Sequence, residues 1–136
     1  MARVAMIKRQ IKTQPRSRKP KPVTYETVRK LALALPDVEE GVSKGTPVFR
    51  VRGKLMAHLQ RDDESLLIRI DYLKRDILLH AEPKTFYVTD FYRCYPMMFV
   101  RLSTVDPGVL RDLLEQAWRV TAPKRMVEAF DGKSSR

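Results

Sequence analysis

An intramolecular disulfide is excluded at once, because the chain has a single cysteine, Cys94. One cysteine and two histidines, His58 and His80, also make a thin inventory for a metal centre. Long apolar runs are missing: nothing approaches the ~18 consecutive apolar residues of a membrane-spanning helix. Glycine is scarce, with five in 136 residues. Gly41, Gly45 and Gly53 are too sparsely placed for a phosphate-cradling loop or a dinucleotide fingerprint. The segment MARVAMIKRQIK carries charge without an apolar core region, which reads against a secretory signal and sets the cytoplasm as the expected compartment. No internal repeat is visible.

What is plentiful is positive charge. The formal net charge is +11. Residues 1–22 carry eight cations and no acid, which leaves 19 cations against 16 acidic side chains in the remainder. Most of the excess therefore sits in a tail, and PRSRKPKP (15–22) reads as its linker. Such a tail is drawn to polyanions; it serves equally well as a solubilising extension. Residues 1–23 are expected to form a disordered tail and linker, 24–130 one folded domain, and 131–136 a fraying end. A hydrophobic content of 43% supports a globular body of that size.

In TYETVRKLALALP, Thr24 is placed as N-cap, Glu26 in the first turn, and Val28, Leu31, Ala32 and Leu35 on one helical face before Pro36. Period two follows. Phe49 and Val51 alternate with Arg50 and Arg52; after Gly53, Leu55, Ala57 and Leu59 alternate with Met56, His58 and Gln60. After the polar turn RDDES, Leu66, Ile68 and Ile70 alternate with Leu67 and Arg69. This predicts an antiparallel meander, with a short strand around Val42 before it. Asp71 is placed as cap of a helix YLKRDILLHA that turns Leu73, Ile77 and Leu78 inward. Short strands are expected at Phe86 to Val88 and in MMFVRL, the latter with Met98, Val100 and Leu102 on one face and Phe99 and Arg101 on the other. Asp106-Pro107 starts a helix whose stripe is Leu110, Leu113, Leu114, Ala117 and Trp118. KRMVEAF adds one more short helix. The order predicts an α+β, two-layer domain: an antiparallel sheet with helices packed mainly on one face.

No catalytic constellation stands out. His58 and His80 have neither a nucleophile nor a paired carboxylate at a recognisable spacing. The acids of RDDES suit a solvated hairpin turn better than a metal cluster. Arg93 beside Cys94 would favour a thiolate; without a histidine partner, an inert or partly buried thiol is expected. The methionines and Trp118 read as core. The surface is more informative. If the apolar strand residues face the helices, Arg50, Arg52, His58, Arg69 and Arg101 share the other sheet face, either as a phosphate-reading platform or as a solvated face covered by arginine stems.

Three segments together resemble the MmcQ/YjbR-like family. They are LALALPDVEEGVSKGTPVFRVRGKLMAHL, IDYLKRDILLHAEPKTFYVTDFYRCYPMMFVRL and VLRDLLEQAWRVTAPKR, in order, over about residues 25–125. The resemblance implies an α+β fold similar to secretion chaperones and a double-wing DNA-binding role, with no catalytic residues and no cofactor. It draws attention to Arg50, Arg52 and Lys54 in the hairpin, to Tyr92, Arg93 and Tyr95 in YRCYP, and to Lys124 and Arg125 after the last long helix. The family pattern has glycine where Cys94 stands, which questions the loop geometry here.

Two function classes follow. The first is a small non-enzymatic DNA-binding protein. Arg50, Arg52, Lys54, Arg69, Arg93, Arg101, Lys124 and Arg125 would meet phosphates, and Tyr92 and Tyr95 would stack or touch sugars. The second is a protein-binding or chaperone-like module using Met56, Met97, Met98 and Phe99, compatible with a homodimer. Neither implies a membrane, a cofactor or a small-molecule substrate.

Overall fold

A computed structural model describes residues 23–134. The basic tail therefore lies outside the described residues, apart from Val23. That residue, assigned to the linker, is buried, and its N–H donates to Leu102 O at 3.1 Å. The elements are α1 (Tyr25–Leu33), β1 (Val38–Ser43), β2 (Thr46–Val51), β3 (Lys54–Leu59), β4 (Ser65–Arg69), α2 (Tyr72–Ala81), β5 (Phe86–Tyr87), β6 (Met97–Arg101), α3 (Pro107–Thr121) and α4 (Lys124–Ser134). The six strands form one antiparallel sheet in the order β1-β2-β3-β4-β6-β5. No helix among the described residues is long and apolar enough to cross a membrane.

Local chemistry sets these boundaries. Asp106 accepts from the Gly108 and Val109 N–H groups and Pro107 occupies the first turn, so α3 starts where expected. Asp71 caps α2 through the Lys74 N–H at 3.0 Å. Thr24 stands at the N-cap of α1 without a side-chain cap bond. Lys44-Gly45 and Arg52-Gly53 make the first two hairpin turns, each with both central residues at positive φ, as a two-residue type I′ connection requires. In the third turn, Asp62 Oδ1 accepts from the N–H groups of Glu64 and Ser65, so this acid orders a turn.

The main core lies between one sheet face and the helices. Phe49, Val51, Leu66, Ile68, Met98, Val100 and Leu102 meet Val28 and Ala32 of α1 and the predicted α3 stripe, all of it buried. Strict alternation fails in β3. Between the pairs Phe49↔Ala57 and Arg50↔Leu55 the register advances one residue in β2 and two in β3. Met56 is the extra residue of this bulge. It joins Ala57 in the main core, while Leu55 turns to the opposite face.

Two further expectations need correction. Leu73 and Ile77 are 72% and 59% exposed, not inward. The face of α2 that turns in carries Leu78, Leu79 and the buried Arg75 instead. At the other end, the segment expected to fray is helical as far as Ser134. Phe130 lies 4.9 Å from the Trp118 ring, and Asp131 receives two hydrogen bonds from Arg119, at 2.7 and 3.0 Å.

That pair has a pH signature. Hydrogen bonding from Arg119 holds the Asp131 carboxyl below its ordinary value, and the same pairing raises Arg119. A depressed carboxyl favours the folded state above its unfolded pKa, and the advantage is lost as pH falls through the folded value. Asp131→Asn is therefore expected to lower thermal stability slightly at neutral pH and not at all in acid below the carboxylate range. Melting temperatures of both proteins across that range check it.

Candidate nucleic-acid interface

The outer sheet face is where the arginines were expected. By register, Val48, His58, Leu67, Phe99 and Tyr87 form one row across it, and Arg101 pairs with Ser65. Its centre is not open. Leu67, Met97 and Phe99 are buried there, with Leu55, Tyr87 and Tyr92 packed against them. Met56 and Met98 are buried in the main core. The methionine and phenylalanine surface expected for a protein-binding module is therefore internal.

The arginines of this face are partly engaged. Arg69 Nε donates to Leu55 O at 2.9 Å. Arg101 donates to Lys84 O at 3.0 Å and lies 4.2 Å over the Tyr87 ring. The Arg50 guanidinium reaches over Gly41, where a Cβ would come within 3.8 Å of Nη1. Among the described residues Arg50 has no ion-pair partner. His58 Nε2 is 2.8 Å from Thr46 Oγ1 and 3.2 Å from Ser43 O, a tie between β3 and the first hairpin.

Residues 89–96 border this face. Tyr92 sets its ring edge-on to Phe99 at 5.5 Å, so it is the covering tyrosine. Arg93 is exposed and meets Asp90 at 3.3 Å. Tyr95 is 49% exposed and stacks on Phe91, itself 69% exposed, with ring centroids 5.6 Å apart. Cys94 is exposed, which removes the partly buried alternative of the inert or partly buried thiol expected. It is absent from the residues with positive φ, so this loop does not require the conformation that only glycine takes readily.

Sequence reasoning missed the residue that shapes this loop. Arg75 donates to the carbonyls of Tyr92 (3.4 Å), Arg93 (3.1 Å), Tyr95 (2.8 Å) and Met97 (3.2 Å). The Tyr72 hydroxyl adds a bond to Cys94 O at 2.8 Å.

A second group of cations gathers at the helix side. Arg52, in the β2–β3 turn, and Arg125, at the start of α4, line one groove of about 530 Å³ with Pro123, Met126 and Ala129. Lys54 follows the turn and Lys124 precedes Arg125; both are exposed. Arg52 meets Asp37 at 2.9 Å, a mostly exposed pair of little strength. Lys54, Lys124 and Arg125 have no ion pair among the described residues. The ten expected contact residues thus fall into two groups. Arg52 and Arg125 line the groove, with the exposed Lys54 and Lys124 near them in sequence; Arg50, Arg69, Arg101, Tyr92, Arg93 and Tyr95 lie at the outer face and its loop. No group of three or more His, Cys, Asp or Glu that could hold a metal exists among the described residues.

Comparison with known proteins adds the following. The family model described as YjbR matches residues 33–120. Uncharacterized proteins of Mycobacterium tuberculosis and Mycobacterium bovis are 36% identical over 53 residues, which is 39% of this chain and 41% of each relative. The match thus spans about two fifths of the curated relatives' length. The crystal structure of Deinococcus radiodurans protein DR2400, with a DUF419 domain, superposes with a TM-score of 0.65 at 20% identity. That superposition covers 76% of this chain and 81% of the other, and it speaks for the α+β fold alone.

Proposed function

The chain belongs to the YjbR family, and from that premise we propose that it is a non-enzymatic protein of the cytoplasm that binds DNA through backbone phosphates. The observation that carries this reading is the groove where Arg52 and Arg125, distant in sequence, line one cavity, with the exposed Lys54 and Lys124 within two residues of them along the chain. Cations without carboxylate partners are already free to meet phosphate; the exposed Arg52–Asp37 pair exchanges at small cost. The tail's eight cations add affinity indifferent to sequence. The reading rests on phosphate contacts, which position the protein without specifying a sequence.

The test is duplex binding by the full chain across a salt series. Log K should fall linearly with log salt, by about 0.9 per phosphate contact. Replacing Arg52, Lys54, Lys124 and Arg125 together by alanine should weaken binding and lower that slope by up to about 0.9 per lost contact. An unchanged affinity and slope would remove the groove from the reading and leave the tail as the binder.

A second reading, a protein-binding module, is favoured by the exposed Leu73 and Ile77 on α2. A light-scattering mass that is dimeric for the protein and monomeric for Leu73→Ser, Ile77→Ser would support it.

A further inference from the structure

We propose that residues 89–96 carry a stacking platform for unpaired nucleobases, formed by Phe91 and Tyr95. This rests on the nucleic-acid reading and extends its ligand class from duplex to single-stranded nucleic acid.

The platform is two large, exposed rings stacked on each other, so that the stack ends in open ring surface. Phe91 is 69% exposed and Tyr95 49%. Their planes differ by 25°, with centroids 5.6 Å apart. Tyr92 supports both edge-on, at 4.9 and 5.9 Å, and itself rests on the buried Phe99. An aromatic on a slack loop would collapse onto the nearest apolar surface. Here the backbone is held by Arg75 through four carbonyls and by Tyr72 through a fifth. The rings are thus presented on a fixed support, and little ordering remains to be done on binding.

The neighbouring chemistry selects the ligand. Arg93 is exposed beside the rings, and its 3.3 Å contact to the fully exposed Asp90 is easily exchanged for a phosphate. Every nucleobase has a π-face, so two rings and one mobile cation suit a base with its backbone, without sequence preference. A stable protein interface takes about 800 Å² per partner, more than two rings offer. Leu73 and Ile77 do not enlarge the patch. They lie on the side of α2 away from Arg75, which faces the loop. Paired bases are stacked on both faces within a duplex and cannot use the platform.

The experiment compares full-length protein with Phe91→Ala, Tyr95→Ala on three probes of equal length: an oligothymidylate, an abasic strand and a duplex. The double variant should bind the oligothymidylate about 10- to 100-fold more weakly, at an unchanged salt slope. Its affinity for the abasic strand and the duplex should not change. Both side chains are exposed, so the thermal midpoint should stay put and confirms folding. Equal loss on all three probes, or no loss on oligothymidylate, overturns the platform while the phosphate reading stands. Absence of salt-sensitive binding to any probe by the unaltered protein overturns both. A dimer that the double variant converts to monomer would assign the rings to a second copy of the chain and also overturn the proposal.

Discussion

Trp118→Ala is expected to destabilise the domain by about 3–5 kcal/mol. Domains of this kind are stable by only ~5–15 kcal/mol in total, so the variant would sit near the edge of folding. Trp118 is fully buried and is among the largest buried side chains. Its ring lies 4.9 Å from Phe130 of α4, and its indole N–H donates to Pro36 O at 2.8 Å, across 82 residues of sequence. One side chain therefore joins α3, α4 and the connection after α1. Removal leaves a cavity that three separately anchored elements cannot close together. Trp118→Phe keeps most of the volume and should cost about 1–2 kcal/mol, from the lost hydrogen bond and the smaller ring. Because the chain has one tryptophan, fluorescence follows unfolding of the parent but not of the variants. Urea unfolding read by circular dichroism treats all three alike. A loss below about 1 kcal/mol for the alanine variant would contradict this three-way packing.

Features legible in the sequence were those set by local chemistry. The caps at Asp71 and Asp106, the positive-φ turn at Gly53 and the α3 stripe are all fixed by residues within a few positions of each other. So was the division of β6, with Met98, Val100 and Leu102 on the core face and Phe99 opposite. Misreadings arose where a non-local partner decided. A bulge is set by how two strands meet, so alternation placed Leu55 on the core face and Met56 opposite, the reverse of what is found. In α2, apolar spacing favoured Leu73 and Ile77 as the inner face. The side chain that turns in is a charged one, satisfied by backbone carbonyls, which every residue has and which leave no mark on composition.

The candidate site shows the same division. Arg52 and Arg125 were both marked, but only the packing of α4 reveals that they share a groove. The sheet-face arginines were marked as well, yet Arg69 and Arg101 are drawn to carbonyls and a ring. Phe91 was overlooked beside two marked tyrosines. An aromatic one and four residues from others in a proline-containing loop was the available signal.

Arg75→Ala should cost about 3 kcal/mol, and its effect should concentrate in one loop. The guanidinium is buried and its ion pair is long: the mostly exposed Asp76 Oδ1 is 3.9 Å from Nε, and Nε has no hydrogen-bond partner among the described residues. Its closest partners are a ring of carbonyl dipoles, with the Tyr72 ring face 4.9 Å away. Alanine would leave those carbonyls without their donor and the loop without its anchor. Arg75→Met keeps the length and removes the charge. If desolvation of the arginine dominated, methionine would be neutral or stabilising, as at buried ion pairs replaced by apolar groups. Here the carbonyls would remain unmatched, so methionine should lose nearly as much as alanine. Lysine offers one ammonium that cannot span donors to four sites, and it should recover about half of the loss. Hydrogen exchange separates a loop effect from a global one. The amides of residues 92–97 should lose protection in Arg75→Lys while those of β2 and β3 keep it. The same variant should bind oligothymidylate more weakly than the parent and bind duplex equally, because it loosens the support under Phe91 and Tyr95 without touching the groove at Arg52 and Arg125. If exchange instead rose uniformly across the sheet, Arg75 would be a general core residue. The rigidity of the aromatic loop would then need another source.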